Sequence, residues 1–207
     1  MLPVEDIVEE VVTLPGGEVR VLRPRDSESL LDEEGFEREE FLPYWADLWP
    51  SAVELAEHVA ERPQPGRRVL ELGCGLGLPS ITAALGGAEV LATDWSQDAL
   101  AFCSENARRN RVKVATARWD WGSSAPVQGP FDLVLAADVL YEQRNVDQLL
   151  DLLPRLVDDG EVWLTDPRRI PGMRFLRELG GSWSVETYAS AVRKPVQLHV
   201  LRPRETG

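Results

Sequence analysis

Val69-Leu-Glu-Leu-Gly73-Cys-Gly75-Leu-Gly77-Leu-Pro79 is the stretch on which the fold of this chain turns. A short apolar strand over residues 68–72 runs into three glycines at alternate positions, and a helix over 78–85 follows. Without Cβ atoms the backbone can turn tightly and a ligand can lie directly against it. Open α/β sheets bind at the carboxyl ends of their strands, so any ligand belongs at this turn. Twenty-one residues after Gly73, just past the next strand, stands Asp94. An acid at that offset can accept hydrogen bonds from the two hydroxyls of an adenosine ribose.

Outward from the loop the pattern alternates. Upstream, Val8 to Leu14 and Glu18 to Leu22 flank Pro15-Gly16-Gly17 and read as a β-hairpin. Residues 26–40 form an acidic connector, a candidate lid or acceptor contact. An aromatic segment from Phe41 to Pro50 follows, and Ser51 is the expected N-cap of a helix over 52–60. Downstream, strands are expected at 88–93, 112–117, 131–136 and 161–165, with helices from Ser96 to Asn110, over 145–156 and over 171–179. Residues 182–189 and 195–201 alternate like two antiparallel strands. Strand and helix in turn mean an α/β fold, a parallel sheet with helices on both faces. The expected organisation is an N-terminal hairpin and connector over 1–40 and one α/β domain over 41–207.

Composition narrows the function. In 207 residues, 43% hydrophobic and 28% charged, no run of 18 apolar residues occurs, so no membrane span is expected. The first twelve residues carry four acids and no base, the opposite of a secretory signal. Two cysteines, Cys74 and Cys103, make neither a disulfide framework nor a zinc site, and a cytoplasmic location with no metal is expected. The net charge of −13 disfavours nucleic-acid binding, which draws on Lys and Arg neutralising phosphates. Charge is uneven: residues 1–40 hold 13 acids and 4 bases, residues 167–207 only 3 acids and 8 bases. An acidic front can solubilise the chain or steer a basic protein or an amine.

Three details separate a dinucleotide from S-adenosylmethionine as the ligand of the loop. The spacing is G-x-G-x-G, whereas the dinucleotide fingerprint is G-x-G-x-x-G. Glu71, two residues before the first glycine, would repel a pyrophosphate and attract an ammonium and a sulfonium. The loop also follows a helix, and the chain closes on an antiparallel hairpin. Trp119-Asp120-Trp121 follows the third strand of the sheet, where a buried carboxylate can accept from an adenine amine and a tryptophan can face the purine.

On these motifs the chain resembles the class I S-adenosylmethionine-dependent methyltransferases. Within them it is similar to the seven-β-strand protein-lysine methyltransferases of family 16, in particular those that modify the electron transfer flavoprotein β subunit. The resemblance covers roughly residues 40–166. It implies a doubly wound Rossmann-like sheet of seven strands in the order 3-2-1-4-5-7-6, strand 7 antiparallel. It implies that Glu71, Gly73, Cys74, Gly75 and Gly77 cradle the methionine part of S-adenosylmethionine, that Asp94 takes the ribose, and that Asp120 and Trp119 take the adenine. Trp49 and Trp95 fall at the edge of the same pocket. Asp138-Val-Leu-Tyr141, at the exit of the fourth strand, matches the family's D-x-x-Y bordering the target amine, which makes Asp138 and Tyr141 the candidate catalytic residues. Asp166-Pro167-Arg168 fits the flavoprotein-modifying branch. The activity implied is methylation of a lysine on a protein, with S-adenosylhomocysteine as product.

Two other readings stand beside it. One keeps the chemistry and changes the acceptor to a small-molecule nitrogen or oxygen nucleophile. The other is a non-catalytic module that only binds the cofactor. No N-P-P-Y run follows the fourth strand, which argues against amide- and adenine-modifying branches. His58 and His199 lack partners at metal spacing and read as packing residues, Cys74 as a small filler, and Trp163 and Trp183 as core.

Overall fold

A computed structural model describes residues 2, 6–27, 30, 43–123, 127 and 129–204. Apart from Asp26, Ser27 and Leu30, the acidic segment 26–40 lies outside the described residues. Strands β1 (Ile7–Leu14) and β2 (Gly17–Pro24) form the hairpin. A 3-10 turn over Tyr44–Ala46 leads into α1 (Pro50–Glu61). The alternating section is β3 (Arg68–Leu72), α2 (Leu78–Leu85), β4 (Glu89–Asp94), α3 (Gln97–Arg109), β5 (Ala115–Arg118), β6 (Leu133–Ala137), α4 (Gln143–Leu156), β7 (Glu161–Asp166) and α5 (Ile170–Leu179). It ends on β8 (Trp183–Ala189) and β9 (Gln197–Pro203). The sheet runs β5-β4-β3-β6-β7-β9-β8, with β9 antiparallel to both neighbours. Counted within the sheet, this is the order 3-2-1-4-5-7-6 implied by the sequence.

Period-two alternation sorts the core onto two faces. Leu70 and Leu72 of β3, with Val134 and Ala136 of β6, pack against Leu149 and Leu153 of α4 and Phe175 of α5. Val69, Leu133 and Leu135 point the other way, onto Leu55 and Val59 of α1 and Ala83 of α2. Glu71 shares the face of Val69, so the strand itself delivers that acid toward the start of α2. Leu135 is fully buried, and Leu135→Ala would cost about 3 kcal/mol.

The hairpin is joined to the sheet layer by polar bonds. Asn106 of α3, fully buried, accepts from Leu22 N–H at 2.7 Å and donates to the carbonyls of Leu22 (3.1 Å) and Leu76 (3.0 Å). One turn on, Asn110 does the same for Arg20, accepting from its N–H at 3.0 Å and donating to its carbonyl at 2.7 Å. Two asparagines four apart on a helix thus imitate a strand and satisfy the outer edge of β2.

Two local expectations need correcting. Ser51 does not cap α1: Trp49 holds the N-cap position, Pro50 starts the helix, and Ser51 is buried with its Oγ unpartnered. Proline at the first position brings a preset φ and has no N–H to satisfy, so the helix starts without a side-chain cap. Strand β5 starts at Ala115 rather than Val112, because Val112 and Val114 pack against the hairpin's core. The cap expected at Ser96 is present, its Oγ accepting from Ala99 N–H at 3.3 Å.

Candidate active site

A cavity of about 1130 Å³ opens at the carboxyl ends of β3, β4 and β6. The glycine loop forms its floor. Gly73, Gly75 and Gly77 all have left-handed backbones, at φ 64°, 49° and 81°. Gly77 is the least replaceable, since a Cβ there would sit 2.4 Å from Cys103 Sγ. A Cβ on Gly75 would come 3.2 Å from the Trp45 carbonyl, so the aromatic segment presses on the loop from outside. Cys74 is buried and its N–H donates to Thr93 O at 2.9 Å. The neighbouring Cys103 thiol, followed by burial, pushes its thiol well up, which makes it a filler rather than a nucleophile.

Glu71 is buried, and one oxygen accepts from both Ser80 N–H (3.0 Å) and Ser80 Oγ. Burial pushes its carboxyl up to about 8, against the pull of the Ser80 bonds. Asp94 is buried as well. It accepts from Gly75 N–H at 3.0 Å and from Ser96 N–H at 2.9 Å. Burial raises its pKa and these backbone bonds lower it. Asp94 therefore holds the loop in shape while keeping acceptor capacity toward the cavity.

Trp95, Trp119, Asp120 and Trp121 line the far end. Trp119 is buried, and its indole N–H has no partner. Asp120 is not the buried carboxylate that the sequence suggested. It is exposed, and one oxygen accepts from Gly122 N–H at 3.0 Å in a local turn.

At the other end lie Asp138 and Tyr141. Asp138 leaves β6 with φ 57°, a rare conformation for a residue with a side chain. Its carboxylate accepts from Arg169 Nε at 2.7 Å. Tyr141 stands 5.4 Å from the ring of Tyr44, which meets Trp49 edge-on at 6.1 Å. Trp49 donates its indole N–H to the Tyr44 carbonyl at 2.6 Å. Three aromatic rings from two segments thus wall the mouth. Burial raises the pKa of Tyr141, so its phenol stays protonated.

Sequence reading missed Arg169 and did not single out Tyr44, Ser80 or Trp121. Asp166-Pro167-Arg168 marked the right segment, but Arg169 is the residue that reaches the site. Ser80 was findable: a buried acid aimed at a helix start needs donors there. His58 packs edge-on against Trp163 at 4.6 Å, and His199 is buried against Thr187. Burial brings both down to about 4.

The donor set suits a cationic sulfur nucleoside. Buried acids stand at the loop, an unpartnered indole N–H at the far wall, and three of the five floor residues are glycines with no side chain. The volume lies just above the usual range for small-molecule sites, roughly 300–1,000 Å³, which leaves room for a second reactant.

Sheet order and site together define a class I methyltransferase fold. Residues 44–176 match the lysine methyltransferase family model, and the chain belongs to that family. S-adenosylmethionine is its cofactor. The chain is 35% identical over 152 residues to protein N-lysine methyltransferase METTL21A of Danio rerio, covering 68% of this chain and 69% of that protein. Histone-arginine methyltransferase METTL23 of Xenopus laevis is 32% identical over 156 residues, 69% of this chain and 62% of that one. The electron transfer flavoprotein beta subunit lysine methyltransferase of Xenopus laevis is 33% identical over 147 residues, 66% and 59%. The chain thus spans about three fifths to seven tenths of the length of these curated relatives. Among solved structures, a T. thermophilus 16S rRNA N2 G1207 methyltransferase in complex with AdoMet and guanosine superposes with a TM-score of 0.70 at 17% identity, over 97% of this chain and 52% of that one. At that identity the likeness concerns the fold. Among the described residues no helix is long and apolar enough to cross a membrane.

Proposed function

We propose that this protein transfers a methyl group to the ε-amine of a lysine on a protein. One observation carries the reading: the Asp138–Tyr141 corner, with its aromatic mouth, opens on the same cavity as the glycine loop. The bound cofactor would supply a methyl group already activated on a positively charged sulfur. Glu71, the loop and Asp94 would hold its amino acid and ribose, with Trp119 and Asp120 at the adenine and Trp49 and Trp95 along the edge. What remains for the protein is alignment and exclusion of water. Tyr44, Tyr141 and Trp49 would guide a long aliphatic side chain with a cationic tip. Asp138 would orient the amine by a hydrogen bond.

The acidic lining (Asp47, Asp94, Asp120, Asp138 and Glu142 against Arg144 and Arg169) supports a cationic acceptor over a polyphosphate one. Free buried thiols at Cys74 and Cys103 are consistent with a cytoplasmic setting.

The test is a thermal shift with S-adenosylmethionine, then transfer of labelled methyl into a cell extract and mapping of the modified residue by mass spectrometry. Label on lysine supports the reading. Label on arginine, as in the name of the METTL23 relative, or in nucleic acid or a small amine would replace the acceptor. Stabilisation without label would leave a binding module.

A further inference from the structure

We propose that Arg169 is a positioning residue for the transfer: paired with Asp138, it lets that carboxylate orient an incoming amine without holding the amine as an ammonium. The inference rests on the amine-acceptor reading above. A lone carboxylate beside a lysine stabilises its protonated form, which has no lone pair to attack with. A guanidinium stays charged at any working pH. Held on the carboxylate, it brings the local charge near zero and leaves the second oxygen free to accept from the amine.

The surroundings are built to keep Arg169 in place. Its Nε donates to Asp138 at 2.7 Å, and the Asp138 side chain is only 8% exposed. Its own N–H donates to Asp166 Oδ1 at 2.8 Å, and Asp166 is 2% exposed with its other oxygen unpartnered. Gly172 leaves room for that carboxylate, since a Cβ there would lie 2.7 Å from Asp166 Oδ1. Among the described residues three non-glycines have left-handed backbones, and two of them are Asp138, a member of this ion pair, and Arg168, the neighbour of the other member. Backbone strain of this kind persists where the surrounding structure enforces it, and it gathers at functional sites. An idle ion pair at the protein surface would need none of this. The other ionisable groups facing the corner are Tyr44 from the 3-10 turn, Tyr141 and the Glu142–Arg144 pair from the β6 exit, and Asp94 across the cavity.

The experiment is a kcat–pH profile at saturating cofactor with a lysine acceptor, for the wild type, Arg169→Gln, Arg169→Lys and Asp138→Asn. In Arg169→Gln the acidic limb should move up by about one pH unit, roughly a tenfold loss near pH 7 that closes above pH 9. Arg169→Lys keeps the charge and should follow the wild-type limb. Asp138→Asn leaves Arg169 unopposed, so its weaker activity should show a limb moved down; this reading survives even if Arg169→Gln fails to fold, which cofactor calorimetry would reveal. A uniform loss at every pH in Arg169→Gln, a Lys variant shifted as far as Gln, or an unmoved limb in Asp138→Asn would each overturn the proposal. A wild type that labels no amine would instead sink the acceptor reading.

Discussion

The two ends of the cavity are built differently. At the glycine loop both acids are buried and held by backbone or hydroxyl donors from the loop and the two helix starts beside it: one oxygen of Glu71 by Ser80, the two oxygens of Asp94 by Gly75 and Ser96. At the acceptor corner the groups come from four places in the chain, around residues 44, 49, 138–141 and 169. Tyr44 and Tyr141 are exposed, Trp49 is half-buried, and an ion pair joins Asp138 to Arg169. The first end is a preformed mould that tolerates little change. The second is an assembly of separate parts, where a substitution should alter the reaction more than the fold.

That contrast can be broken most sharply at Gly77. Gly77→Val forces a side chain onto Cys103 at a left-handed position and should cost about 3 kcal/mol of stability and abolish cofactor binding. Calorimetry and thermal melts would show both losses together. Asp138→Ala should do the opposite, lowering kcat about 100-fold while cofactor affinity stays within about threefold. A parallel loss of cofactor affinity would mean that the two ends are one unit.

Glu71 provides a smaller, pH-dependent test. Its folded pKa of about 8 lies above the ordinary 4.5, so between those values the folded state holds a proton that the unfolded state has lost. Stability from this group therefore falls as pH rises. His58 and His199, lowered to about 4, act in the other sense but only below about 6.5. Asp166, raised to about 6, acts below that same limit. Between pH 6.5 and 8 the two histidines and Asp166 are silent, and the unliganded protein should lose roughly 2 kcal/mol that Glu71→Gln would not lose, the difference between the two isolating Glu71 from the other raised acid, Asp94. Denaturant melts across that window would measure it. Smallest should be Tyr44→Ala, raising KM for the acceptor about fivefold to tenfold through a lost ring contact, with cofactor affinity unchanged.

The same contrast explains what could be read in advance. β3, the loop and α2 are contiguous, and their apolar spacing and glycines state the geometry directly; the limits read for β3 and α2 match the structure. Asp94 follows from a fixed offset. The acceptor corner depends on which residue of a loop after β7 turns back toward β6, a choice made by the backbone at Asp138 and Arg168 and by a buried Asp166. No local pattern encodes it, so the reading stopped at Arg168. The expected burial of Asp120 failed for a related reason, since burial of a loop carboxylate depends on what covers it. Ser51 failed as a cap because the adjacent proline opened the helix two residues sooner.

Asn106 ties the hairpin and the cofactor floor to a common fate. Its amide group touches Leu22 on one side and Leu76 on the other, so a shortened chain cut to residues 44–176 would strip away one neighbour and loosen its grip on the second. A fragment drawn to those family limits should therefore lose affinity for the methyl donor although every residue presumed to touch that donor is still there.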